Sequence, residues 1–150
     1  MTTCHLSPFV DGVTELVATM FQSQCEVDAA VQEDAADVSG VIDLIGATAG
    51  RFALSFPRAT ATRMVAQLLS LDEVDVDDEI LGDGVGELAN IVAGAAKSRF
   101  PDDSSRFKLS LPSVVLSERH APPLRDASGV LYRRVTTDFG EFSLRVWFDT

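Results

Sequence analysis

Apolar residues recur at helical spacing in two segments of the first half of the chain. One is "PFVDGVTELVATM", in which Pro8 suits the start of a helix that ends at Met20. The other is "ATATRMVAQLLS", residues 59–70. Both patterns predict amphipathic helices, whose buried faces consist of Val10, Val13, Leu16, Val17 and Met20 in the first and of Met64, Val65, Leu68 and Leu69 in the second.

A third helical segment follows the acidic stretch "LDEVDVDDE". It is predicted to run from about Glu79 to Ser98 and to stop before Pro101, because the residue preceding a proline is disfavoured in helical geometry. The acidic stretch lacks the glycine and the terminal glutamate of a calcium loop, so we interpret it as a solvated linker whose charge caps the helix N-terminus. The core-facing positions of this helix are Leu81, Val85, Leu88, Val92 and Ala95.

Runs typical of strands occupy the middle and the end of the chain. "VIDLI" and "RFALSF" flank the glycine-bearing "GATAG" and end at Pro57, which predicts a hairpin. "RFKLSLP", "SVVLS", "VLYRRVTT" and "EFSLRVWF" follow the third helix. The letters "DFG" at Asp138 to Gly140 predict a turn between the last two strands, since the other kinase motifs are missing. The fold class is therefore α+β, with helices packed on one face of a mostly antiparallel sheet.

Composition narrows the classes of partner. With 150 residues, 46% of them hydrophobic, the chain is expected to form a single domain over 1–150. Twelve Lys and Arg residues against 23 Asp and Glu give a net charge of -11, which argues against nucleic acid and anionic membrane as partners. We expect no membrane span and no signal peptide, and hence a cytoplasmic protein.

The sequence offers little for nucleophilic or metal-dependent catalysis. It contains no GxSxG, P-loop or HExxH motif. Cys4, His5 and Cys25 lack the spacing of a metal site, so we expect plain thiols and no bound metal. His120, in the loop "ERHAPPLRDASG", is interpreted as a solvated residue.

The third helix carries a second, polar line of residues. Glu87, Asn90, Gly94 and Lys97, here called the polar stripe, share a face away from the apolar one. Asn is a mediocre helix former, and Gly94 costs about 1 kcal/mol relative to Ala while it clears the space beside it. The stripe therefore indicates a docking surface. A merely solvated helix face remains the alternative.

An internal repeat relates the first and third helices. "DGVTELVATMF" at 11–21 aligns with "DGVGELANIVA" at 83–93, and the two share Asp-Gly-Val and Glu-Leu. Glu15 corresponds to Glu87, but Ala18 stands where the second copy has Asn90. Only the second copy keeps the carboxylate and carboxamide pair.

These segments resemble the CheC/CheX/FliY family of chemotaxis phosphatases, and its CheX type most of all. The resemblance is carried by "GELANIVAGAAKSRF" with its E-x-x-N pair, by "PFVDGVTELV", "RFALSFPRATATRMVAQLLS" and "LSLPSVVLS", and it covers most of the chain. CheC-type members carry E-x-x-N twice, whereas Ala18 breaks the first copy here, as is usual for the CheX type. FliY-type and FliM-type relatives carry extra segments for the flagellar motor.

The resemblance implies hydrolysis of the aspartyl phosphate of a CheY-like response regulator, with Mg²⁺ supplied by that regulator and no cofactor of the chain's own. Asn90 is then expected to position the attacking water, and Glu87 to anchor the regulator, for example by pairing with its active-site lysine. Gly94 and Lys97 complete the expected partner-binding surface. A non-catalytic receiver-binding module and a flagellar-switch component of the same fold remain the alternatives.

The resemblance also implies a homodimer. In "EFSLRVWF", Phe142, Leu144, Val146 and Phe148 alternate with Ser143, Arg145 and Trp147. We expect this strand to contribute an exposed sheet edge, and the dimer to form at least partly through sheet edges.

Overall fold

The computed structural model describes residues 2–29, 36–46, 49–100, 107–116 and 130–148, with side chains from Leu6 onward. This part of the chain forms three α-helices, one short 3₁₀ helix and seven strands. Their order is α1 (Thr2–Phe21), β1 (Glu26–Ala29), β2 (Val38–Gly46), β3 (Gly50–Phe56), α2 (Arg58–Leu69), the 3₁₀ helix (Glu73–Asp75), α3 (Asp78–Ser98), β4 (Phe107–Leu109), β5 (Ser113–Leu116), β6 (Val130–Thr137) and β7 (Gly140–Phe148).

The strands form one antiparallel sheet in the order β1-β6-β7-β3-β2-β4, and β5 also pairs with β2. The three helices pack against it, which confirms the predicted α+β fold. Aromatic rings pack between the helices and the sheet: Phe9 of α1 stacks on Phe52 of β3 at 4.9 Å between ring centroids. Within the sheet, Phe56 and Phe142 stack at 4.8 Å.

The predicted hairpin, the three helices and the turn between the last two strands are confirmed. The turn falls at Asp138–Phe139, with Gly140 at φ 124°, a conformation that glycine adopts readily. None of the described helices is long and apolar enough to cross a membrane. Two residues of the predicted buried faces are exposed instead, Met20 of α1 at 40% and Leu69 of α2 at 43%, and both lie within the last two residues of their helix.

The start of α1 differs from the prediction, because the helix begins at Thr2 and holds Pro8 in its interior. A proline inside a helix removes one backbone hydrogen bond and costs about 3 kcal/mol. Leu6 and Phe9, on either side of Pro8, are almost completely buried. Their burial, worth roughly 1.5–3 kcal/mol each, offsets that loss and keeps the first turns helical.

The expectation that β7 lies at an edge is wrong. β7 pairs with β6 on one side and β3 on the other, so it lies inside the sheet. Its second face is also covered: Arg145 is 1% exposed and donates a hydrogen bond from Nη2 to Ser55 Oγ at 3.1 Å. Among the described strands, the edges of the sheet are β1 on one side and β4 and β5 on the other.

Candidate functional site

Glycines let α3 pack closely against its neighbours. A Cβ built on Gly84 would lie 2.5 Å from a methyl carbon of Val65, so only glycine allows α2 to approach this far. A Cβ on Gly12 of α1 would lie 3.0 Å from the carbonyl oxygen of Val92 in α3. Gly40 of β2 similarly lies beneath α3. These contacts fix which face of α3 is buried and which is left to solvent.

The acidic linker caps α3, as predicted. Asp77 is the N-cap residue, and its carboxylate accepts a hydrogen bond from the Ile80 backbone N–H at 2.9 Å. Asp78 and Glu79 add negative charge to the first turn, and Lys97 adds positive charge to the last. The charges at each end oppose those of the helix dipole, and together with the cap they stabilise the 21-residue helix α3.

The apolar face of α3 lies in the core. Leu81, Val85, Leu88 and Val92 are fully buried, while Ala95 is only half-buried. The polar stripe points the other way: Glu87, Gly94 and Lys97 are exposed and Asn90 is half-buried. The predicted burial in this helix therefore agrees with the structure except at Ala95, which is partly exposed, and at Asn90, which is half-buried rather than fully exposed.

Glu87 and Asn90 project together from the exposed side of α3. Residues three apart on a helix have Cβ atoms about 5–6 Å apart. Within the described residues, neither side chain makes a hydrogen bond or an ion pair. A Cβ built on Gly94 would meet nothing within 4 Å, so the surface one turn further on is open. The pair can thus present a carboxylate and a carboxamide to another molecule without first breaking a hydrogen bond or an ion pair to the described part of the chain.

The first copy of the repeat has a different environment. Glu15 forms an ion pair with Arg99, whose Nη1 also donates to the Ala95 carbonyl oxygen at 3.0 Å. Ala18, one turn further along α1, is exposed and offers no polar group. The part played by Arg99 cannot be predicted from the sequence, because Arg99 meets Glu15 only when α1 packs on α3.

Of the other sequence candidates, only Cys25 has a described side chain. Cys25 is a half-buried free thiol whose nearest polar contact is Thr14 Oγ1 at 4.0 Å. The side chains of Cys4 and His5, and all of His120, lie outside the described residues. Among the residues that are described, no group of three or more His, Cys, Asp or Glu could hold a metal ion.

Solved structures share this fold along nearly the whole chain. A CheC-like superfamily protein from Shewanella sp. PV-4 is 24% identical, with a TM-score of 0.86 and full coverage of both chains. A CheX–CheY–BeF3–Mg²⁺ complex from Borrelia burgdorferi matches with a TM-score of 0.80 at 18% identity, over 97% of this chain and 98% of that chain. The fold is thus that of the CheC-like chemotaxis proteins.

The family is shown by the sequence itself. The family described as chemotaxis phosphatase CheX matches residues 38–132, which include the whole of α3. The chain therefore belongs to the CheX family. A putative chemotaxis protein from Desulfovibrio vulgaris Hildenborough is 25% identical, with a TM-score of 0.82 over 97% of this chain and 96% of that chain. None of the curated proteins compared with the chain matches it.

Proposed function

We propose that the chain accelerates hydrolysis of the aspartyl phosphate of a CheY-like response regulator. The observation that carries this proposal is the Glu87–Asn90 pair of a CheX-family chain, with Glu87 exposed, Asn90 half-buried, and neither side chain hydrogen-bonded or ion-paired within the described residues. A helix face that presents these groups can enter a partner's pocket and act there. The Borrelia complex, in which a CheX of the same fold is bound to CheY, supports a receiver domain as that partner.

Asn90 is assigned the catalytic contact with water. An aspartyl phosphate is a reactive acyl phosphate, so catalysis requires a water molecule held in line with phosphorus rather than a nucleophile from the enzyme. A carboxamide can accept a hydrogen bond from that water through its oxygen and donate to a phosphoryl oxygen through its nitrogen. A carboxylate at the same position would instead repel the phosphoryl group.

Glu87 is assigned to anchoring. Its carboxylate only accepts hydrogen bonds, and a charged partner such as a lysine beside the receiver's phosphorylation site would satisfy it. The contact would set the position of Asn90, one turn away on the same rigid helix. Lys97 would bind an acidic group at the other end of the polar stripe, and Gly94 would let the receiver's backbone come close.

The Mg²⁺ ion belongs, in this proposal, to the regulator. The Borrelia complex contains Mg²⁺ together with BeF3, a group that mimics a phosphoryl group on a carboxylate. The chain would thus need no cofactor of its own. A magnesium chelator should then abolish dephosphorylation, while the dialysed protein alone should carry no stoichiometric metal.

A homodimer is the proposed assembly. Because β7 lies inside the sheet, the strands available for pairing between two copies are β1 and the β4 and β5 edge. Light scattering at tens of micromolar should give twice the mass of one chain. A mass of one chain at that concentration would refute the dimer without affecting the proposed chemistry.

The activity is tested against a panel of phosphorylated receiver domains, in which the protein should accelerate phosphate release from at least one. A receiver-binding module without catalysis is the second candidate. It would bind a beryllofluoride-loaded receiver equally well but leave the rate of phosphate release unchanged. Asn90 favours the enzyme, since binding alone gives no reason for a carboxamide at that position.

A further inference from the structure

One strongly exposed leucine lies in a connection that packs against α3. Leu111, in the connection between β4 and β5, is 86% exposed. Among the described apolar side chains only Val74, at 90%, is more exposed. A single exposed leucine is ordinary on a protein surface. Leu111 differs because the chain on both sides of it is held in place next to α3.

Ser110 holds one side of Leu111. Its backbone N–H donates to the Asp43 carbonyl oxygen at 3.0 Å, and its Oγ accepts from the Asp43 N–H at 2.9 Å. The same hydroxyl donates to the carbonyl oxygen of Leu111 at 2.9 Å. Asp43 is itself held by an ion pair with Arg51 at 2.8 Å. The backbone at Leu111 is therefore fixed to β2.

Pro112 holds the other side against α3. A Cβ built on Gly86 would lie 3.5 Å from Pro112 Cγ and 3.3 Å from Val114 Cγ2, and one on Gly82 would lie 3.6 Å from Val114 Cγ1. Val114 lies beside Gly82 and Gly86, and Pro112 lies beside Gly86. Going back along the chain from Val114 to Pro112, the contacts with α3 therefore shift towards its C-terminus. Leu111 is the next residue in that direction, and continuing by one residue leads towards the turn of α3 that follows Gly86 and holds Asn90.

The polar stripe alone is too small for a specific interface. From Glu87 to Lys97 it is about 15 Å long, and a helix is about 10 Å wide, whereas stable interfaces bury about 800 Å² on each partner. A receiver that reaches Asn90 must therefore also contact the surface beside α3. The chain that packs on the β5 side of α3 includes Leu111, whose backbone is held in place and whose side chain is exposed.

We propose that Leu111 is an apolar anchor for the phosphorylated receiver domain, which docks on the polar stripe and on the β4–β5 connection together. This inference rests on the proposed function, because it takes the same receiver as the partner. The receiver would present an apolar patch next to its phosphorylation pocket. Because the backbone at Leu111 is already fixed, little conformational freedom is lost when that patch covers the side chain.

The test compares Leu111→Ser with Val74→Ser. Val74 is equally exposed but precedes α3, whose N-terminus lies about 18 Å from Asn90 along the helix axis. The probe is a CheY-like receiver that the parent protein dephosphorylates, loaded with beryllofluoride and Mg²⁺ for binding and with phosphate for turnover. Leu111→Ser should raise Kd and KM roughly tenfold. It should leave kcat and the melting temperature unchanged, and Val74→Ser should change neither binding nor turnover.

The outcomes separate the inference from the proposed function. If Leu111→Ser binds the receiver as tightly as the parent, the apolar anchor is wrong, while loss of turnover in Asn90→Ala would still support the phosphatase. If both serine variants weaken binding equally, the effect is not local to the stripe and the inference also fails. If Asn90→Ala keeps full turnover although Leu111→Ser weakens binding, the docking surface stands and the catalytic role of Asn90 is wrong.

Discussion

The two copies of the internal repeat share their packing. Both 11–21 and 83–93 lie in long helices, and both use the glycine of Asp-Gly-Val for close contact with another helix. Gly12 of α1 meets α3 at Val92, and Gly84 of α3 meets α2 at Val65. The Gly, Val and Leu that the copies have in common are buried and are thus explained by how the helices pack.

The same two copies differ in what they offer to a partner. In the first, Glu15 is ion-paired with Arg99 and its neighbour is Ala18. In the second, Glu87 and Asn90 have no side-chain partner among the described residues. The two copies thus differ by Ala18 in place of Asn90 and by the Glu15–Arg99 ion pair. The second copy leaves its polar groups available to a partner, whereas the carboxylate of the first is already paired. The sequence similarity of the two copies therefore reflects shared packing. It does not by itself show that both copies have the same chemical function.

The largest expected difference between the copies is in turnover. Asn90→Ala should lower kcat by roughly 10²-fold or more, about 3 kcal/mol of transition-state stabilisation, because the attacking water loses its positioning group. The Kd for a beryllofluoride-loaded receiver should hardly change. Single-turnover dephosphorylation and a binding titration on the same receiver measure the two effects separately.

The first copy provides the control for this experiment. Ala18→Asn restores E-x-x-N on α1, but Glu15 remains paired with Arg99. Introduced into Asn90→Ala, it should therefore not recover turnover. Recovery of the parent rate would show that the pair of residue types is sufficient and that the surroundings of α3 do not matter.

The next effect is on affinity. Glu87→Ala should weaken the complex by roughly 1.5–3 kcal/mol, which is the usual worth of a hydrogen bond to a charged group, and should also lower kcat through poorer alignment. Glu15→Ala is the matched control in the first copy and should leave Kd unchanged. Calorimetric titration with one receiver compares the two variants. Equal losses in both would mean that general negative charge, rather than Glu87, attracts the partner.

Glycines at packed and open positions should respond in opposite directions. Gly84→Ala should lower the free energy of unfolding by about 1–3 kcal/mol, because its Cβ would overlap Val65. Gly94→Ala should raise it by roughly 0.5–1 kcal/mol, since nothing lies near and alanine is the better helix former. Urea unfolding measures both. If Gly94 gives room to the receiver, Gly94→Ala should also weaken binding despite its greater stability.

The sequence predicted best what depends on local spacing. α3 was predicted to within about one residue, because its apolar period, its acidic cap and Pro101 all agree. β1 was missed, since Val27 is the one residue in it that packs against the core. The central place of β7 was also missed. The alternation of apolar and polar residues predicts the two faces of a strand. It does not predict which strands lie on either side, because that depends on residues far away in the sequence.

The same division holds for the candidate site. Spacing was enough to place Glu87 and Asn90 on one exposed face of α3. Arg99 and Leu111 were not singled out, because their importance arises only from contacts across the fold. Arg99 meets Glu15, 84 residues away, and Leu111 is brought next to α3 only because Pro112 packs on Gly86.

The smallest effect concerns the ion pair that distinguishes the first copy. The Arg99 side chain is 34% exposed and that of Glu15 49%, so solvent screens their attraction and the pair should contribute only about 0.2–1 kcal/mol. Glu15→Ala should therefore lower the free energy of unfolding slightly, and the difference should shrink in high salt. Glu87→Ala should leave stability unchanged because its carboxylate has no described partner. Urea unfolding of both variants at low and high salt measures this contrast. If instead Glu87→Ala destabilises the free protein and Glu15→Ala does not, the second copy holds the structural carboxylate, and the comparison between the two helices must be reversed.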